Sequence, residues 1–285
     1  MGSNIFNILG VLGASALVAP LAVSRRLVRL DVPILIALSA AVYVLAWDRR
    51  LGPGDGLLLV AAGIVYTAFA VRASRGMTAG EPGAAGGRAR APVAQAGLIA
   101  LGLLLLAVGA RWLVESATAF ARALGVSELV IGLTVVAVGT SLPEVAASVI
   151  AAWRGERDIA VGNAVGSNLF NIAAVLGLTS LVARGGVPVA EAALAFDVPV
   201  MIAVAVACLP VFFVGQAVLR WEGALFLAYY GAYTLFLVLA AQRHDALPLF
   251  SRTMALFVLP LTALTFAIVV WREARRRGAE PRRAE

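Results

Sequence analysis

The chain has no lysine, one histidine (His244) and one cysteine (Cys208), and only 14% of its 285 residues are charged. Each shortage closes a door. A lone cysteine inside an apolar run offers neither a disulfide framework nor a thiolate metal site. A lone histidine in a loop leaves no imidazole pair for metal binding. So little charge beside 61% hydrophobic residues and a mean hydropathy of +0.94 excludes a soluble domain, because about half the residues of such a domain must face water. No signal peptide is recognisable either, since Met1 leads at once into Gly-Ser-Asn-Ile-Phe-Asn without a basic flank.

What the chain does have is apolar runs of some 20 residues, the length a helix needs to cross a hydrocarbon core. Their continuity argues against a β-barrel, whose strands would alternate apolar and polar residues. The expected fold is all-α, a polytopic transmembrane helical bundle with about nine spans: 4–22, 31–47, 56–74, 94–122, 127–152, 158–183, 195–214, 220–242 and 249–271. Residues 75–93, rich in Ser, Gly, Pro and Arg, read as a linker. All 23 basic residues are arginines. They lie in short groups between apolar runs, which suits a membrane protein orienting itself and argues against nucleic acid as a partner. Sixteen fall on the side of the linker and the C-terminal tail, and six on the other. The linker and tail are therefore expected in the cytoplasm and the N-terminus outside, in a multi-pass protein of the cytoplasmic (cell) membrane.

An internal repeat organises the chain. Gly2-Ser3-Asn4-Ile5-Phe6-Asn7-Ile8 returns as Gly166-Ser167-Asn168-Leu169-Phe170-Asn171-Ile172, an offset of 164 residues. Asp31-Val-Pro returns as Asp197-Val-Pro, and Asp55-Gly as Glu222-Gly. The domain reading is a first repeat half over 1–74, a cytoplasmic linker over 75–93, a second half over 94–242, and an extra helix with a basic tail over 243–285. The two units start from opposite membrane faces, and such inverted-topology repeats are typical of secondary transporters with a midplane site. Two spans precede the Gly-Ser-Asn copy in the second half and none does in the first, so the first half reads as N-terminally incomplete.

The chemistry gathers in spans five and six. Gly139-Thr140-Ser141-Leu142-Pro143-Glu144 places a carboxylate, two hydroxyls and a proline in mid-membrane. Proline frees backbone carbonyls one turn earlier, which lipid tolerates only against protein or a polar cavity. An ionisable group at that depth costs roughly 2.5–3.5 kcal/mol on insertion scales and usually marks a transport path. All of these are hard oxygen ligands, suited to sodium and calcium. In span six, Asn163, Ser167 and Asn171 recur every four residues and form one polar stripe. Gly162 and Gly166 at the same spacing are expected to admit a neighbouring backbone closely. The bland alternatives are a proline kink with an incidental glutamate, and asparagines serving as interhelical glue.

The paired segments Gly139–Glu144 and Gly162–Asn171 resemble the alpha-repeat of the sodium/calcium exchanger family, within the calcium/cation antiporter superfamily; the likeness reaches to about residue 240 and lacks the family's first two helices. The resemblance implies ten helices in two inverted halves around a central cation site. It implies that Glu144 and Asn171 coordinate calcium, and that Thr140, Ser141, Ser167 and the carbonyl of Ala137 line calcium and sodium positions. Ser3 and Asn7 would be their first-repeat counterparts. Two departures stand out: the first-repeat Gly-Thr-Ser-x-Pro-Glu is absent, and position 171 is Asn where many members have Asp. The ninth span is a further addition to the ten-helix pattern.

The expectation is a secondary active cation antiporter that exports calcium in exchange for sodium by alternating access. It would take calcium and sodium (or protons) as transported ions, have membrane lipid around it and need no cofactor, and it could form a homo-oligomer. A calcium/proton exchanger is the nearest alternative, and a degenerate half-protein dependent on a partner subunit is another. An enzyme is not expected: an intramembrane hydrolase would need a Ser or Asp nucleophile with a base, and the chain has one loop histidine and no second catalytic carboxylate near Ser141. Glu115 reads as the helical partner of Arg111, and Asp31 and Asp197 as acidic residues favouring helix N-termini.

Overall fold

The computed structural model describes residues 1–77, 92–123, 125–126 and 128–279. Most of the predicted linker (78–91) and the end of the basic tail (280–285) lie outside the described residues. The helices are α1 (Gly2–Val18), α2 (Leu27–Asp48), α3 (Pro53–Met77), α4 (Pro92–Ala123), α5 (Gly132–Thr140), α6 (Leu142–Trp153), α7 (Arg157–Val182), α8 (Ala193–Phe213), α9 (Arg220–Ala241) and α10 (Leu247–Trp271). Seven are long and apolar enough to cross a membrane. α5 and α6 bend by 50° at Ser141 and, counted together as one broken span, make an eighth; α1 is a shorter apolar helix. The all-α polytopic bundle is thus as the apolar runs predict. Helices suit lipid because each satisfies its own backbone polar groups. Leu104, Leu105 and Trp112 on α4, and Leu256, Phe257 and Leu261 on α10, face outward, where lipid would replace water as their neighbour.

The repeat is visible in how the two halves grip one another. Four two-residue strands, β1 (Leu21–Ala22), β2 (Arg50–Leu51), β3 (Val187–Pro188) and β4 (Ala217–Val218), form two antiparallel clasps, β1 with β4 and β2 with β3. β1 and β3 are repeat equivalents, as are β2 and β4, so each clasp joins one half to the other. β1 precedes α2 and β2 follows it, which puts the clasps at opposite ends of that helix. Between them, α1 packs on α9 and α7 packs on α3, again across the halves. Both contacts run through glycine. A Cβ on Gly223 would lie 2.8 Å from the Gly13 carbonyl oxygen, and one on Gly56 2.5 Å from that of Gly177.

Helical repeats of the wider π type also recur in register. They occupy Asn7–Leu12 and Asn171–Leu176, and Leu27–Asp31 and Ala193–Asp197. Such turns often mark functional positions, because they re-aim side chains and free backbone groups. Here they carry Asp31 and Asp197 into the protein interior, with relative exposures of 6% and 1%. This corrects the reading of both as helix-start residues: the helix runs through each aspartate, and a tyrosine from the following helix binds it. Tyr66 Oη donates to Asp31 Oδ1 at 3.1 Å, and Tyr233 Oη to Asp197 Oδ1 at 2.8 Å. Asp31 also has Arg26 Nε at 3.9 Å. Removing the hydroxyl leaves a buried carboxylate short of a donor, at a cost of about 1–3 kcal/mol. Tyr233→Phe and Tyr66→Phe are therefore each expected to lower the melting temperature in detergent. An unchanged melting temperature in either variant would contradict this account of the two pairs.

On α4, Arg111 Nε lies 2.7 Å from Glu115 Oε1, the helical pair predicted from their spacing.

Candidate functional site

The bend between α5 and α6 sets the site. Pro143 lies in the first turn of α6, where a missing N–H costs nothing because first-turn N–H groups have no helical partner anyway. The proline thus opens a new helix after a break, rather than kinking one helix. Just before the break, the Thr140 hydroxyl donates to the carbonyls of Val136 (2.9 Å) and Ala137 (3.2 Å). Ser3 Oγ lies 3.1 Å from Thr140 Oγ1. With Thr140 donating to the backbone, Ser3 is the donor between them. Ser141, at the break itself, is buried.

Glu144 occupies the first turn of α6, where the aligned peptide dipoles favour negative charge. Its backbone carbonyl accepts from Asn163 Nδ2 at 3.3 Å, and the same amide donates to Ser148 Oγ at 2.9 Å. Ser148 in turn donates to the carbonyl of Ala160 at 3.2 Å. This ladder fixes α6 against α7 and sets the Glu144 side chain at the wall of a cavity of about 330 Å³. Gly162, Asn163, Gly166, Ser167, Phe170 and Asn171 complete the lining. No basic residue is among them. Glu144 Oε2 is buried and makes no hydrogen bond within the described residues. A carboxylate oxygen left bare in a low-dielectric interior is costly.

The structure divides the predicted site residues. Glu144, Ser167 and Asn171 meet at the cavity. Thr140 and Ser3 form the neighbouring hydroxyl pair, and the Ala137 carbonyl is engaged by Thr140. Asn7 is fully buried against α7, with Nδ2 on Asn168 Oδ1 at 3.0 Å and its own Oδ1 unpartnered. Asn4 and Asn168, which bind these amides, are absent from the ligand set that the resemblance implies. Their signal was the first asparagine of the repeated heptad.

The glycine expectation is corrected. A Cβ on Gly2, the repeat equivalent of Gly166, would lie 2.7 Å from the Leu133 carbonyl oxygen and 2.9 Å from Ala137 Cβ. On Gly162 or Gly166 it would meet nothing within 4 Å among the described residues. The close approach foreseen at Gly162 and Gly166 is made by Gly2 of α1 instead, and those two α7 glycines line the cavity. Among the described residues no three His, Cys, Asp or Glu side chains gather as a metal-binding group. The site therefore consists of one carboxylate amid amide and hydroxyl oxygens.

Inverted repeats gripping across both ends, a broken helix and a midchain carboxylate beside an asparagine stripe define a membrane protein of the secondary-transporter class. The family model for the sodium/calcium exchanger protein matches residues 1–72 and 94–239, and the chain belongs to that family. It is 39% identical over 197 residues to CaxA of Alkalimonas amylolytica, covering 67% of this chain and 62% of that protein. It is 42% identical over 139 residues to the sodium/calcium exchanger MaX1 of Methanosarcina acetivorans, covering 49% of this chain and 39% of that one. The chain thus spans less than two thirds of either relative. Among solved structures, the sodium-calcium exchanger NCX_Mj superposes with a TM-score of 0.62 at 31% identity, covering 80% of this chain and 72% of that one.

Proposed function

We propose that this protein is a cation antiporter that moves calcium out of the cell against sodium, with the ion held at the cavity between α6 and α7. The observation that carries the reading is that Glu144, Ser167 and Asn171 line one cavity, with Glu144 Oε2 buried and without a hydrogen bond among the described residues. Hard oxygen donors with a single negative charge suit sodium or calcium and offer nothing to a soft metal. Coupling follows from charge: calcium, sodium or a proton can each neutralise Glu144, and they compete for it. Ser3, Asn7, Thr140, Ser141 and the Ala137 carbonyl would serve ion positions along the same path. The reading is one of transport, with ions as cargo and no catalytic centre or cofactor. The arginine distribution supports a place in the cell membrane with linker and tail in the cytoplasm.

Radiolabelled calcium flux into proteoliposomes tests this directly. Sodium-loaded vesicles diluted into sodium-free buffer are expected to take up calcium, and sodium ionophore should stop the uptake. Uptake that follows an imposed pH gradient and ignores sodium would move the assignment to calcium/proton exchange. If neither gradient drives calcium into vesicles containing folded protein, the antiporter reading fails for this chain.

A further inference from the structure

We infer that Asn4 and Asn168 are positioning residues, each fixing which end of an amide in the opposite repeat faces the cation; the inference rests on the cation-site reading above. The two repeats exchange asparagines. Asn171 Nδ2 donates to Asn4 Oδ1 at 3.0 Å, and Asn7 Nδ2 donates to Asn168 Oδ1 at 3.0 Å. Asn4 and Asn168 are repeat equivalents, as are Asn7 and Asn171, so the two bonds are one contact made twice about the pseudo-twofold axis.

A carboxamide has a donor end and an acceptor end, and only the oxygen end binds a cation. Here the direction is set from outside each pair. Asn168 Nδ2 donates to the backbone carbonyl of Asn4 at 3.1 Å, and a carbonyl can only accept. Asn168 must therefore turn its oxygen toward Asn7, which answers with its NH₂. That leaves Asn7 Oδ1 as the free end, and this atom is the one found buried without a partner. On the other side, Asn4 Nδ2 contacts Met201 Sδ at 3.6 Å, an atom with no proton to give. Asn4 accordingly presents its oxygen to Asn171, whose NH₂ donates to it, which leaves Oδ1 as the free end of a residue that lines the cavity. Asn4 is 4% and Asn168 2% exposed, so water cannot readily replace either contact. Neither residue needs to touch the ion. Each decides whether its partner offers the ion an oxygen or an NH₂.

The test is a mutant cycle read by calcium binding to purified full-length protein in detergent. Asn4→Leu keeps the branched shape and removes the acceptor, so the Asn171 amide loses its direction. Loss of such a supporting contact is expected to weaken calcium binding roughly 10- to 100-fold. An aspartate at 171 has an oxygen at both ends and needs no direction. Asn4→Leu is therefore expected to cost less than about threefold when introduced beside Asn171→Asp, a failure of additivity that marks direct coupling. A merely structural defect would cost the same factor in both backgrounds, and that result would overturn the inference. If Asn4→Leu does not yield monodisperse protein, the mirror cycle of Asn168→Leu with and without Asn7→Asp carries the same expectation and the same refutation. Wild-type protein that binds calcium while the cycle is additive refutes only the positioning role. Folded wild-type protein that binds no calcium refutes the cation site and this inference together.

Discussion

Glu144→Gln is expected to abolish sodium-driven calcium flux, with calcium affinity falling by about 100-fold or more, since ligand charge is a main determinant of affinity at oxygen sites. The substitution is nearly isosteric. The Glu144 backbone carbonyl would still accept from Asn163 and the ladder through Ser148 would stand, so the melting temperature should be nearly unchanged or higher. A rise is physically reasonable, because the variant removes a bare buried carboxylate oxygen. Flux measured in proteoliposomes and melting measured in detergent would separate the two effects. Gradient-driven calcium flux retained by folded Glu144→Gln protein would remove Glu144 from the mechanism.

The second large effect is expected at the seam between the halves. A Cβ on Gly223 would stand 2.7 Å from Ala16 Cβ and 2.8 Å from the Gly13 carbonyl oxygen. Backbone cannot swing aside as a flexible side chain does, so Gly223→Val must push α9 off α1. Overpacking of this kind costs about 1–3 kcal/mol, and more where backbone has to move, so little monodisperse protein should be recovered. Gly56→Val, facing the Gly177 carbonyl, should behave alike. Gly102→Val on α4 is the control, with nothing within 4 Å of the new Cβ among the described residues. Size-exclusion profiles of the three variants would show the pattern; loss confined to the control would refute the seam.

Class, repeat and the heart of the site were legible because each rests on local pattern. A run of 20 apolar residues states its own solvent, and a heptad written twice states its own symmetry. The pairing of Glu144 with Ser167 and Asn171 at one cavity followed from a carboxylate in one span and a four-residue period in the next. What escaped was set by tertiary partners. Asp31 and Asp197 stand before Val-Pro, a local signal for a helix start, and nothing local announces the π turn that carries the helix through them. The open face of Gly162 and Gly166 was misread for a related reason: spacing shows that a helix can be approached closely, and only the fold shows which copy is approached. Asn4 and Asn168 were in plain view in the motif, but an amide's direction depends on acceptors 164 and 197 residues away in sequence.

The two strand clasps and the two glycine contacts have a mechanical consequence. They act as rivets at both rims, each glycine contact about one helical turn inside a clasped end, and every one of them joins the first repeat to the second. A pair of halves fastened at both rims cannot open like a book toward either side of a membrane without shearing a fastening. Any motion that alternately uncovers the cavity is then left to parts that carry no rivet. Among the described helices of the second repeat α4 carries none of these fastenings; it packs chiefly on the bent pair α5–α6, and it is α6 that brings Glu144 to the cavity.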